Sequence, residues 1–250
     1  DQEGGRVNRL KNIISFDNLT SEFFGNKFIK NYREFNFFYK LFIDKTSYLL
    51  RLLGININTV PVLDLKIKGA NKVIGDRSFS RNPKIVSKIG DYCIKYFKEN
   101  RIGTVIKHIP GHGLAQVDSH LSTPFVRKKL DYLIKNDFIP FKNKQSLFAM
   151  TAHIVFTDID NKNTVTHSQK LIKLIRNRIG FKNILISDDL SMKSLKGPIK
   201  ENTIKTFKAG CNIVLHCNGN LKEMTIVGQN SPLVDRFITK KTSEFYKILS

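Results

Sequence analysis

Three of the six histidines in this chain lie within fourteen residues, at His108, His112 and His120. Pro110 and Gly111 exclude a helix that would bring the first two onto one face, because proline lacks an N–H and glycine favours turns. The stretch is therefore a shaped loop. Loop imidazoles can transfer protons or bind a metal, so this segment is a candidate active site.

Asp118 precedes His120 by two residues, close enough in an extended loop for its carboxylate to orient the imidazole. An anionic neighbour favours the protonated imidazolium and gives a proton donor that is usable near neutral pH. A lone Asp–His pair is more often a surface hydrogen bond. The other histidines of the loop, together with Lys107, favour the functional interpretation.

Asp188 and Asp189 follow an apolar run that predicts a strand. Adjacent side chains at a strand end point to opposite faces, so only one of the two can face a site. The other would cap the next segment or face solvent. These residues alone leave open which aspartate is functional.

Two chemistries fit this set of residues. In the first, His108, His112, His120 and one of the two aspartates hold a metal that activates water. In the second, Asp188 attacks covalently while His120, tuned by Asp118, acts as acid and then as base. Spacing does not separate the two. Cations such as Arg77 and Lys107 could bind a polar or anionic ligand in either case.

Apolar runs rich in valine and isoleucine alternate with segments of helical period, which predicts a β/α fold with a parallel sheet. The predicted strands are 57–63, 103–107, 147–153, 183–187 and 211–216, and the predicted helices are 32–53, 82–100 and 166–179. Reactive residues follow the strands, at Asp64, Lys107–His108, His153, Asp188–Asp189 and Cys217–Asn218. A (β/α)8 barrel gathers all such strand ends onto one face, so we predict that fold.

The first six residues, DQEGGR, read like the exit from a strand that the sequence does not contain. We therefore expect one or two N-terminal barrel strands to lie upstream of Asp1. We interpret 1–250 as a single barrel domain, because no linker-like segment interrupts it. No GxGxxG or GxxxxGK[ST] motif supports nucleotide binding.

Composition narrows the class of protein. No apolar run approaches the roughly 18 residues of a membrane helix. Three scattered cysteines without a CxxC pair are typical of a reducing compartment, so we expect a cytoplasmic protein. The formal charge of +21 comes from lysines spread along the chain without a basic stripe, and we interpret it as compositional drift. We expect no nucleic-acid or membrane partner, and a monomer.

Seven motifs resemble, in family order, the bacterial β-N-acetylglucosaminidases of glycoside hydrolase family 3. They are DQEGGRVNR at 1–9, PVLD at 61–64, IGDRSF at 74–79, KHIPGHG at 107–113, DSH at 118–120, MTAH at 150–153 and SDDLSM at 187–192. The third residue of KHIPGHG is Ile109, where the family commonly has phenylalanine. Past Cys217 the match fades.

The resemblance implies a barrel that removes terminal N-acetylglucosamine from muropeptides during peptidoglycan recycling in the cytoplasm, without a metal or other cofactor. By motif position, Asp188 matches the nucleophile, His120 the general acid/base and Asp118 its partner. The positions that hold the sugar are matched by Asp1, Arg9, Arg77, Lys107 and His108. Two alternatives remain, a metal-dependent barrel hydrolase and a catalytically inactive sugar-binding remnant.

Overall fold

The computed structural model describes residues 1–249. The helices in this range are α1 (Ser21–Lys30), α2 (Tyr32–Leu52), α3 (Pro83–Glu99), α4 (Leu130–Lys135), α5 (Gln169–Leu174), α6 (Ile199–Ala209), α7 (Leu221–Gln229) and α8 (Arg236–Leu249). The strands are β1 (Ile57–Asn58), β2 (Gly103–Ile109), β3 (Phe125–Val126), β4 (Phe148–Thr151), β5 (Val155–Phe156), β6 (Ile184–Asp189) and β7 (Ile213–Leu215).

The prediction of a (β/α)8 barrel is wrong. Over residues 1–249 the main sheet has five parallel strands in the order β1-β2-β4-β6-β7, and β3 pairs only with β5 in a separate two-stranded sheet. The main sheet curls like half a barrel. A barrel of this type closes with eight strands. Since β1 pairs with β2 and β7 with β6, the outer strands do not meet and the sheet stays open.

Alternate residues of the central strands face two different cores. Ile106, Ala149 and Leu185 lie in the larger core, which the strands share with the surrounding helices. Val105 and Phe148, on the other face, belong to a smaller cluster that α8 completes. The ring of Phe245 in α8 lies 5.5 Å from that of Phe148, in an edge-to-face contact. Both faces of the main sheet are thus packed.

Capping residues and glycines in the sequence predicted most of these helix ends correctly. The Asn82 side chain accepts a hydrogen bond from the Lys84 N–H at the start of α3, and Gly180 ends its helix with φ of 82°. The predicted helix 166–179 is only partly right. Thr166 lies in a short 3₁₀ turn, and the cap of α5 is Ser168, which accepts from the N–H of Leu171. The last residues, Ile175–Ile179, wind as a π-helix.

The strand predicted at 57–63 is shorter in the structure. Its ladder covers Ile57–Asn58, and contact with β2 resumes only at an isolated bridge between Val62 and Lys107. Pro61 has no N–H to donate, so it interrupts the ladder between these points. The chain still runs beside β2 and delivers Asp64 next to His108, which the sequence predicted in a loop and which lies at the end of β2.

None of the helices among residues 1–249 is both long and apolar enough to cross a bilayer.

Candidate functional site

A cavity of about 520 Å³ opens where the parallel strands end. All eight residues that the resemblance matches to functional positions line it, and they come from the N-terminal segment, the turn before α3, the end of β2, the following loop and the end of β6. They are Asp1, Arg9, Arg77, Lys107, His108, Asp118, His120 and Asp188. The parallel sheet explains the convergence, because it places every strand's carboxyl end at the same edge.

The structure separates the roles of the two adjacent aspartates at the end of β6. The Asp189 carboxylate holds the segments that follow β6 and β7. It accepts hydrogen bonds from the N–H and hydroxyl of Ser191, at 3.0 and 2.6 Å, and from the N–H of Cys217 at 3.1 Å. Asp188 accepts a hydrogen bond only from the N–H of Asp189, at 2.8 Å, among the described residues. Asp188 is therefore the aspartate with free acceptor capacity at the cavity.

Electrostatics keep Asp188 ionised. Burial alone would raise its pKa, but the nearby imidazoles of His153 and His108, the Asp189 N–H and the Lys107 ammonium together hold the pKa below its ordinary value. An anionic carboxylate with an unused lone pair is what a nucleophile requires.

Asp118 and His120 form the pair that their spacing predicted. The Nδ1 atom of His120 lies 2.8 Å from an oxygen of Asp118, and the same oxygen accepts the His120 backbone N–H at 2.9 Å. Although burial would raise the pKa of Asp118, these two hydrogen bonds and the charge of His120 lower it. With Nδ1 engaged and the ring 64% exposed, Nε2 is the nitrogen available to a ligand.

A buried carboxylate, Asp64, joins the end of β2, which carries His108, to the following loop, which carries His112. It accepts hydrogen bonds from the N–H of His112 at 2.6 Å and from the N–H of His108 at 3.2 Å, and it pairs with His108 Nδ1 at 2.7 Å. Burial opposes the charge of Asp64, but the attraction of His108 and these bonds keep its pKa low. His112 Nε2 then contacts the hydroxyl of Ser119 at 3.1 Å, directly beside the Asp118–His120 pair.

His112 is a supporting residue rather than a proton donor. It is buried, and burial followed by the charge of His108 lowers its pKa to about 4, so the ring is neutral at pH 7. Within the described part of the chain its Nδ1 has no hydrogen-bond partner.

His153 is buried with both nitrogens paired. Nδ1 lies 2.7 Å from the hydroxyl of Thr166, and Nε2 lies 3.0 Å from the carbonyl of Asp189. Burial lowers its pKa. His153 is thus a core histidine whose two ring nitrogens are both satisfied.

Lys107, Arg77 and Asp1 meet through a residue that the sequence analysis missed, Glu3. The Lys107 ammonium lies 2.6 Å from Asp1 and 2.7 Å from Glu3, and Arg77 makes two parallel hydrogen bonds of 2.8 Å to Glu3. Arg9 is more loosely held, 3.9 Å from Asp1 and well exposed. Glu3 belongs to the DQEGGR motif, and its charge was the only sequence feature that marked it. Its partners could not be predicted from spacing, because Arg77 and Lys107 are distant in the sequence.

A metal needs several donors facing one point. In the range 1–249, no three His, Cys, Asp or Glu side chains come together as potential ligands. His108 and His112 instead direct nitrogen atoms to Asp64 and Ser119. The first of the two chemistries therefore finds no ligand set in the described residues.

Known proteins resemble this chain over most of its length. Residues 1–236 match the family described as Glycosyl hydrolase family 3 N terminal domain. A beta-hexosaminidase of Actinobacillus pleuropneumoniae serotype 5b is 35% identical over 228 residues, which cover 87% of this chain and 64% of that protein. A beta-hexosaminidase of Photobacterium profundum is 33% identical over 263 residues, covering 100% of this chain and 75% of the relative.

Solved structures agree. NagZ from Neisseria gonorrhoeae, in complex with N-trifluoroacetyl-D-glucosamine, matches with a TM-score of 0.86 and 29% identity, over 98% of this chain and 72% of NagZ. The chain thus spans between 64% and 75% of the length of these relatives. The resemblance inferred from the seven motifs is confirmed.

Proposed function

Because this chain belongs to glycosyl hydrolase family 3, we propose that it acts as an exo-β-N-acetylglucosaminidase with retention of configuration. The observation that carries the proposal is that Asp188, free to accept at the cavity, shares that cavity with the Asp118–His120 pair. The beta-hexosaminidase relatives and the N-acylated glucosamine bound by the Neisseria NagZ support the choice of sugar.

The first step forms a covalent intermediate. The Asp188 carboxylate attacks C1 of the terminal sugar, while His120 donates the Nε2 proton to the glycosidic oxygen. The C1–O bond to the leaving group breaks, and the sugar remains on Asp188 as an ester. Retaining glycosidases usually employ a second carboxyl group as the acid. Here a charged imidazole, held in place through Nδ1 by Asp118, takes that role.

The second step reverses the proton transfer. His120 is neutral after donation, so Nε2 can accept a proton from an incoming water molecule, whose oxygen attacks C1 from the side that the leaving group vacated. The ester bond to Asp188 breaks and the carboxylate is restored. The remaining cavity residues, Asp1, Arg9, Arg77, Lys107 and His108, bind the hydroxyl and amide groups of the sugar through charge-assisted hydrogen bonds.

We further propose that the substrates are muropeptides released during peptidoglycan recycling, and that residues 1–250 act as one hydrolase domain in a monomer. The three cysteines are all free, which supports a cytoplasmic location.

Mass spectrometry of the intact protein after treatment with a fluorinated mechanism-based sugar analogue tests the mechanism. We expect one added sugar, mapped by proteolysis to the peptide that contains Asp188. Asp188→Asn is the matched control and should take up no label. A label on Asp189 or on another side chain would refute the assignment of the nucleophile.

An aryl N-acetyl-β-glucosaminide separates this proposal from the inactive remnant. We expect release of the aryl alcohol together with binding of N-acetylglucosamine. Binding without release would make the chain a sugar-binding protein instead.

A further inference from the structure

Glu3 is a buried anion in a strongly basic chain. Its side chain is only 3% exposed, and both carboxylate oxygens are occupied. One oxygen accepts from Arg77 Nη2 at 2.8 Å and from Lys107 Nζ at 2.7 Å, and the other accepts from Arg77 Nε at 2.8 Å. Three of the roughly four acceptor positions of the Glu3 carboxylate are thus occupied by these two cations.

The two cations that Glu3 joins both line the cavity, whereas Glu3 does not. A bidentate contact fixes the plane of the Arg77 guanidinium. The Lys107 side chain is only 2% exposed, and its ammonium is also held by Asp1 at 2.6 Å and by the hydroxyl of Thr59 at 3.2 Å. By holding both at once, Glu3 sets the distance and orientation between two ligand-binding groups that come from distant positions in the sequence.

Glu3 also keeps Lys107 charged. Burial lowers the pKa of Lys107, and the charge of Glu3 is the largest effect that opposes burial, with Asp188 as another anion that contributes. In the proposed mechanism the glycosyl ester removes the charge of Asp188. Glu3 then remains as the buried anion that stabilises the Lys107 ammonium during the second step.

We propose that Glu3 is a positioning residue for sugar binding, acting through Arg77 and Lys107 without touching the substrate. This inference rests on the proposed function. It predicts that removing the charge of Glu3 weakens binding of the sugar much more than it slows the chemical step. Interactions made equally in the ground state and the transition state affect KM and leave kcat nearly unchanged.

The experiment compares kcat and KM of the full chain and its Glu3→Gln variant on an aryl N-acetyl-β-glucosaminide between pH 6 and pH 9. KM of the variant should rise by about tenfold or more at pH 8, the scale of a lost charge-assisted hydrogen bond, with kcat within about threefold. The rise should be larger at pH 9 than at pH 6, because the Lys107 ammonium loses the anion that most opposes the effect of its burial on the pKa. Glu34→Gln is the matched control, since Glu34 pairs with Lys27 on the exposed surface, and it should change neither constant.

A double variant distinguishes positioning from general stability. If Glu3 acts through Lys107, adding Glu3→Gln to Lys107→Met should raise KM much less than it does in the wild type, because the partner is already gone. Additive effects both with Lys107→Met and with Arg77→Met, or a KM that follows the wild type at every pH, would overturn the inference. Circular dichroism checks that each variant is folded.

Glu3→Asp serves if Glu3→Gln does not fold. It keeps the charge and shortens the reach, so KM should rise without the added pH dependence. If neither variant folds while Lys107→Met does, Glu3 serves stability alone and the inference fails. If the wild type cleaves no glycoside, the proposed function fails by itself, and the same variants are then compared by calorimetric binding of N-acetylglucosamine.

Discussion

Replacing Asp64 by asparagine should destabilise the protein severely, although Asp64 lies outside the cavity lining. The side chain is completely buried and accepts from two backbone N–H groups and from the His108 ring. Asparagine would lose the charge and turn an NH₂ group toward these donors. Removing one partner of a buried charged pair costs about 3–5 kcal/mol.

The expected change in melting temperature follows from chain size. For a protein of this length, about 1 kcal/mol corresponds to a shift of roughly 2–4 °C, so Asp64→Asn should melt about 6–20 °C lower at pH 7. Asp44→Asn is the control, because Asp44 pairs with Lys40 on the exposed face of α2. A surface pair of this kind contributes about 1 kcal/mol or less.

The pH dependence gives a second test of the same reasoning. The folded pKa of Asp64 lies below its ordinary value, so the stabilisation is complete above the unfolded pKa of about 3.9 and is lost as the pH falls through the folded pKa. The difference in melting temperature between wild type and Asp64→Asn should therefore be largest near neutral pH and should narrow in acid. Differential scanning calorimetry measures both. A loss no larger than that of Asp44→Asn at pH 7 would refute the argument.

Four further outcomes are expected. Asp118→Asn should lower kcat about 100-fold or more, the scale of general acid–base catalysis, because His120 loses the carboxylate that holds its Nδ1. An unchanged rate would contradict the dyad. Gly25→Ala should lower the free energy of unfolding in urea by about 3 kcal/mol or more, because a Cβ there would lie 1.7 Å from the carbonyl oxygen of Phe79. Gly228→Ala is the control: a Cβ there would meet open space, and the variant should gain up to about 1 kcal/mol. Burial and the neighbouring carboxylate of Asp64 raise the pKa of Asp137 to about 7. The stability that the protonated Asp137 contributes to the fold is therefore complete below about pH 4 and is lost as the pH rises through 7. Asp137→Asn should match the wild type near pH 4 and exceed it at pH 8 by up to roughly 4 kcal/mol in urea unfolding, and equal stability at pH 8 would contradict this. A strong chelator should leave glycosidase activity unchanged, and a loss restored by zinc would revive the metal-dependent alternative.

Local sequence signals predicted a good part of the fold. Caps such as Asn82 and terminators such as Gly180 act over one helical turn, so they can be read without the tertiary structure. The prediction failed where the outcome depends on pairing between distant segments. The complete barrel is the main example: each strand looked like a barrel strand, but closure depends on how many strands pair and on whether the outer two meet.

The sequence by itself identified the family and the candidate site residues. Its motifs named eight side chains, and three of them, Lys107, His108 and Asp188, were predicted to converge because they follow parallel strands. Only the tertiary structure showed which buried groups hold these site residues in place. Asp64 and His108 are 44 residues apart and Glu3 and Arg77 are 74 apart, so no local pattern links them. Their pairing follows from the sheet, which brings distant segments together and removes water, leaving each buried charge dependent on a partner of opposite sign.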